Sequence, residues 1–131
     1  MSVLTQTIDA MDLWHLEVPV VSVRNHGIGA VSGACEVIVL RLRSAEGAEG
    51  WGEASCWSVF TGSAEASLAA LDRYIRPLVI GARLADRATL LAQAQRVVAH
   101  ATEAKAALET ALLDLTGQVT GLPVLLPLNN P

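Results

Sequence analysis

The chain has 131 residues, of which 52% are hydrophobic and 17% charged, and a net charge of -4. That is enough apolar surface for one core in one domain, too short for two domains of ordinary size, and too hydrophobic for a disordered chain. The acidic balance, with no run of basic residues, gives no electrostatic footprint for nucleic acid, so neither DNA nor RNA is an expected partner.

The opening segment MSVLTQTIDAMD lacks the basic start of a secretory signal, because the first cationic residue is Arg24. No uncharged apolar run reaches the roughly 18 residues of a membrane helix, so a cytoplasmic protein without a membrane partner is expected. Cys35 and Cys56 have no metal-ligand spacing and are too few for a disulfide framework, which leaves two reduced, partly buried thiols. Lys105 is the single lysine beside eight arginines, so no mechanism that needs two lysines can run on this chain alone.

Met1 to Glu17 is mixed in pattern, and within Trp14 to Val21 the stretch WHLEVPVV reads as a strand entering a bend at Pro19. Residues 22–34, SVRNHGIGAVSGA, show neither helical nor strand period and read as a mobile loop. Cys35 to Ser44 alternates Ile38, Leu40 and Leu42 against Val37, Val39, Arg41 and Arg43, the pattern of a strand with one buried face. A tight turn at Ala45-Glu46-Gly47 sends Ala48 to Ala54 back as the other arm of a hairpin. A second loop, residues 55–63, SCWSVFTGS, carries Trp57 and Phe60.

From Ala64 the period becomes helical: Leu68, Leu71, Ile75 and Leu78 mark one face, and Pro77 ends or kinks the helix. Asp86 is the expected N-cap of a second helix striped by Leu90, Leu91, Ala94, Val97 and Val98. A third runs from Thr102 to Thr120, with Ala104, Leu108, Ala111, Leu115 and Val119 on one face and a stop at Gly121 and Pro123. Leu113 and Gly117 fall off that stripe, leaving a narrow polar edge of Lys105, Glu109 and Thr116. A helix apolar on two sides needs two partners, so self-association of the domain is expected.

Glu53 has no paired acid, histidine or metal group near it in sequence, and catalysis needs such a partner. It is expected to anchor the following loop by accepting backbone hydrogen bonds. Asp114, at the edge of an apolar face, is expected to bond backbone or an arginine. His15 and His100, in an expected strand and helix, read as packing or surface residues. By residue type alone, Arg24 and His26 could meet a substrate carboxylate or simply be solvated. Trp57 and Phe60 could close over an apolar ligand or belong to the core.

The order strand, loop, strand, Gly50-Trp51-Gly52-Glu53, loop, helices, and then AKAALETALLDLTGQVTGLPV from Ala104 to Val124, resembles one family. It is similar, from about Val3 to Leu126, to the N-terminal capping domain of the mandelate racemase and muconate lactonizing enzyme group of the enolase superfamily. The nearest branch is the one that resembles muconate cycloisomerase. The resemblance implies an α+β domain, a three-stranded antiparallel sheet followed by a helical bundle. It also implies that loops 22–34 and 55–63 cover a small carboxylate substrate, with Arg24, His26, Trp57 and Phe60 as the contacting residues.

In such enzymes, the resemblance further implies, a separate barrel holds magnesium on carboxylates and carries lysine bases; a homo-oligomer is expected from the two-sided helix. This domain would then supply neither catalytic nor metal-binding groups. Muconate cycloisomerase-like chemistry, epimerisation and dehydration all stay open. After Val124 the sequence reads Leu125 to Pro131 without continuing into a barrel strand. The catalytic barrel is therefore expected to be absent, leaving a truncated product, an isolated domain, or a remnant acting as a stand-alone, self-associating module.

Overall fold

The computed structural model describes residues 5–124, and the expected departure at Leu125 to Pro131 lies outside them. Three long strands form an antiparallel sheet in the order β1-β4-β5: β1 is Ile8–Pro19, β4 is Ala34–Ser44 and β5 is Glu49–Cys56. The first strand starts earlier than expected from Trp14, because Ile8 and Met11 already enter the core. Between β1 and β4, the expected loop contains a two-stranded ribbon, β2 (Arg24–His26) and β3 (Gly29–Val31). The reading of residues 22–34 as wholly irregular is thus corrected. Three-residue strands around Gly27-Ile28 are too short to show a period of two.

The expected hairpin of β4 and β5 is present, with Gly47 at φ 90° in its turn and the Gly47 N–H donating to the Ser44 carbonyl at 2.9 Å. Ile38, Leu40 and Leu42 are fully buried on one face of β4, where helices cover the sheet. The outer face is more apolar than half-polar alternation suggests. Trp14 and Trp51 stack with ring centroids 5.7 Å apart, and the Arg41 guanidinium lies over both rings. Arg41 donates to Asp12 at 2.8 Å and to Glu49 at 3.0 Å. The hydrogen bond that Arg41 donates to Asp12, reinforced by both carboxylate charges, raises the Arg41 pKa still further.

The helical path from Ala64 to Val79 runs as α1 (Ala64–Ala69), a π-helical segment (Ala70–Ile75) and α2 (Arg76–Val79). Ser63 caps its start, its hydroxyl accepting from the Ala66 N–H at 3.2 Å. Pro77 does not end the helix. Having no N–H and a ring that crowds the preceding turn, it follows a π-helical register in which the Arg76 N–H donates to the Leu71 carbonyl. Leu71, Ile75 and Val79 still face the core.

Asp86 stands at the N-cap position of α3 (Arg87–Val97) but makes no capping bond. Its carboxylate takes the Arg83 guanidinium at 2.9 Å instead, so that part of the expectation is corrected. Leu90 and Ala94 bury the inner side of α3, whereas Val97 is exposed and Val98 lies beyond the helix end. His100 is not helical: with Ala101 it forms a left-handed bend, at φ 55° and 47°, leading into α4 (Thr102–Thr120).

Helix α4 is the element on which the sheet is built. A Cβ added at Gly52 would lie 2.0 Å from the Ala107 carbonyl oxygen, and one at Gly50 would lie 2.3 Å from that of Ala111. The helix and β5 therefore meet backbone to backbone, with glycine on the strand and alanine on the helix. Beside this contact the Asp114 carboxylate accepts from the Trp51 N–H at 2.8 Å, the backbone bond expected of it. The second side of α4 is partly covered by its own chain, since the Leu122 carbonyl lies 3.0 Å from the place of a Gly117 Cβ and Val124 is adjacent.

The solvated polar edge of α4 is corrected. Lys105 and Thr116 are buried, the Thr116 hydroxyl donating back to the Leu112 carbonyl at 2.6 Å, and only Glu109 of the three is exposed. An intrahelical bond satisfies the threonine without solvent, which a helical projection does not register.

Because the atom opposing a Gly52 Cβ is backbone and cannot rotate away, Gly52→Ala is expected to destabilise the domain by about 3 kcal/mol or more. Denaturant unfolding checks this, and a loss below about 1 kcal/mol would contradict the contact. Asp114→Ala is expected to cost about 1 kcal/mol, since the Trp51 N–H loses an anionic acceptor near solvent.

Candidate functional site

The two expected loops emerge from the same end of the sheet. The first follows Pro19 at the end of β1, and its base is closed by the Val20 N–H donating to the Gly33 carbonyl at 2.9 Å. The second follows Cys56 at the end of β5 and is closed by an isolated bridge from Trp57 to Gly62. Within it Thr61 makes the fastening: its hydroxyl accepts from the Trp57 N–H at 3.0 Å while its own N–H donates to the Trp57 carbonyl at 2.8 Å.

Three of the four expected site residues come together. The His26 ring meets Trp57 edge-on with centroids 4.9 Å apart, and Trp57 meets Phe60 in the same manner at 6.0 Å. The chain of rings joins the ribbon to the second loop. Trp57 is half-buried in this contact, and Phe60 is 70% exposed, leaving a large apolar surface at the tip. Arg24 is exposed and makes no ring contact with Trp57 or Phe60, although it stands two residues from His26 on the same strand. It lines, with His26, Pro19, Val21, Val31 and Cys35, an open cleft of about 460 Å³. A second cleft of about 290 Å³ lies between the loops, where Val31, Glu36, Ser55 and Trp57 are among the residues that face it.

Glu53 does not anchor the loop. The strand continues past it to Cys56, and Glu53 stands exposed in mid-strand opposite Val39, its carboxylate without a hydrogen bond to any described residue. Thr61 performs the task assigned to it, and the sequence signal for that was a single hydroxyl before Gly62. His15 is not idle on the strand either: its Nε2 lies 2.9 Å from Glu36 Oε1 across the sheet.

The thiols differ. Cys56 is buried beside Ser67, and desolvation pushes its pKa up, with the Ser67 hydrogen bond opposing. Cys35 is half-buried at the edge of both clefts. Because the thiolate is the reacting form, Cys56 is expected to alkylate far more slowly than Cys35 at pH 8, as read by mass spectrometry of iodoacetamide adducts; equal rates would contradict the burial. Among the described residues no three histidine, cysteine or carboxylate side chains gather into a group able to hold a metal ion, so none of them forms a set suited to magnesium. No described helix is long and apolar enough to cross a membrane.

An antiparallel three-stranded sheet backed by helices, with two loops gathered at one end, is the N-terminal capping-domain fold of the enolase superfamily. Residues 7–126 match the N-terminal domain of the mandelate racemase / muconate lactonizing enzyme family, and the chain belongs to that family.

The L-Ala-D/L-Glu epimerase of Bacillus subtilis is 36% identical over 90 residues, covering 68% of this chain and 25% of that protein. Chloromuconate cycloisomerase of Cupriavidus pinatubonensis is 34% identical over 90 residues, covering 66% of this chain and 24% of that protein. A substrate-liganded structure of the Bacillus subtilis epimerase superposes with a TM-score of 0.87 at 30% identity, over 93% of this chain and 34% of that one. The chain thus spans about a quarter of the length of these curated relatives.

Proposed function

We propose that this domain is the cap and substrate-selecting part of a longer enzyme that acts on a small carboxylate, either removing the proton alpha to the carboxylate or cycloisomerising the substrate. The observation that carries the reading is the aromatic contact from His26 through Trp57 to Phe60, which gathers both loops at one end of the sheet. In this reading Phe60 and Trp57 cover an apolar part of the substrate, and Arg24 and His26 meet a carboxylate remote from the reacting carbon. The family match and the two relatives, an epimerase and a cycloisomerase, support the substrate class. Cycloisomerisation of the muconate kind remains the first choice, with epimerisation or dehydration as alternatives.

A proton beside a carboxylate is too weakly acidic for a neutral-pH base unless the developing enediolate is stabilised in a closed site. In the complete enzyme magnesium, held on residues outside the described part of this chain, would supply that charge when bound. The contribution of the cap is exclusion of water and placement of the distal substrate group, which lowers the barrel's barrier by orientation. The complete enzyme is proposed to be cytoplasmic.

In the longer enzyme, Trp57→Ala is expected to change the ratio of kcat/KM between two substrates differing in their distal group by about tenfold, roughly 1.4 kcal/mol. An unchanged ratio would sink the lid. The 131-residue chain alone is expected to show no magnesium-dependent turnover of muconate. Activity in a pure sample would show that the chemistry does not need a separate barrel.

A further inference from the structure

The sheet has an open edge. Along β1 the backbone groups that point away from β4 are fixed by the Met11 carbonyl, which accepts from the Arg76 guanidinium on the side opposite β4. Counting by twos, the N–H and C=O groups of Leu13, His15 and Glu17 point the same way. The start of the edge is taken: Ile8 exchanges bonds with Gly81 and Ala82, and Arg76 covers Met11. From Trp14 to Pro19, however, every residue of β1 is exposed. An exposed strand edge is a template for another strand, and this one carries neither lysine nor a proline before Pro19 to block it.

The side chains say which strand. Trp14, Leu16 and Val18 lie on the outer face at 39%, 42% and 46% exposure, while His15 and Glu17 alternate on the other face. Suppose a second copy of the strand runs antiparallel with Leu16 on the two-fold axis. His15 then stands opposite the partner's Glu17, Trp14 opposite its Val18, and Leu16 opposite its Leu16. His15 and Glu17 both point their backbone groups outward, so these pairs exchange main-chain hydrogen bonds and the Leu16 pair is the closer, non-bonded kind. Moving the dyad to His15 or to Glu17 sets like groups against each other, His15 on His15 or Glu17 on Glu17. His15 already uses Nε2 on Glu36, so its Nδ1 donates to the partner's carboxylate only in the imidazolium form, with hydrogen on both ring nitrogens.

We propose that residues 13–19 of β1 are a self-pairing surface: a second copy of this chain adds antiparallel across a two-fold axis at Leu16, joining two three-stranded sheets into one of six strands. The pairing is isologous and closes on itself, so it yields a dimer and not a filament. It uses the edge of β1 and ends at Pro19, which also lines the cleft of Arg24 and His26, and it does not depend on the substrate proposed above.

Sedimentation of the 131-residue chain at high concentration is expected to show a dimer. Glu17→Pro, which removes an outward N–H and no bond to β4, should weaken it by about tenfold or more while circular dichroism keeps the fold. Leu16→Lys places two charges on the axis and provides a second test should the proline disturb the strand. Leu16→Cys should give a disulfide-linked dimer on mild oxidation, because residues of a non-bonded antiparallel pair lie about 4.5 Å apart at Cα. Val18→Cys, opposite the partner's Trp14, should not. A monomer at high concentration, a dimer that survives both Glu17→Pro and Leu16→Lys, or equal cross-linking of Leu16→Cys and Val18→Cys would each overturn the proposal.

Discussion

The structure depends on how closely α4 approaches β5. With carbonyl oxygens of Ala107 and Ala111 where the Cβ atoms of Gly52 and Gly50 would be, strand and helix touch through main chain, and almost no side-chain volume separates them. Such a contact is intolerant: there is no rotamer to relax, so only glycine fits on the strand. It also fixes direction. The Asp114 carboxylate on the Trp51 N–H ties the helix to the outer edge of the same strand and so sets the register of α4 along β5.

What this joint positions is the far end of the hairpin. Beyond Ala54 the strand passes Cys56, packed on Ser67 at the start of the helical layer, and then enters the loop fastened by Thr61. The ribbon of residues 24–31 reaches that loop through His26 against Trp57. A rigid base and a lightly packed tip are therefore parts of one device. The tip is a few aromatic contacts and turn hydrogen bonds, the low-stability material from which ligand-covering elements are made.

Most of the architecture was legible because it rests on periodicity. Ile38, Leu40 and Leu42 on a period of two, and Ala104, Leu108, Ala111 and Leu115 on the helical period, each report one face against a core. The helix end at Thr120 followed from Gly121 and Pro123. What was missed concerns which partner a polar group chooses. Asp86 satisfies Arg83 in place of the helix end, Thr116 bonds its own helix, and Lys105 is buried where a polar edge was expected. Glu53 stands in mid-strand because the strand runs on to Cys56, and strand ends are poorly marked where residues such as Ser55 and Cys56 suit either state. The meeting of His26 with Trp57 joins residues far apart in sequence, and no local pattern encodes it. The glycines of Gly50-Trp51-Gly52 were visible as a motif, but their reason, the helix backbone lying on them, belongs to the tertiary structure.

Native-state hydrogen exchange tests the central claim most directly. If the joint organises the domain, the core-facing amides of β4, β5 and α4 open together at the global unfolding free energy, while those of residues 22–33 and 57–62 exchange through much cheaper local opening. Contradiction would come from the reverse order, α4 opening independently of β5 below the global limit, or the loop amides protected as strongly as the joint.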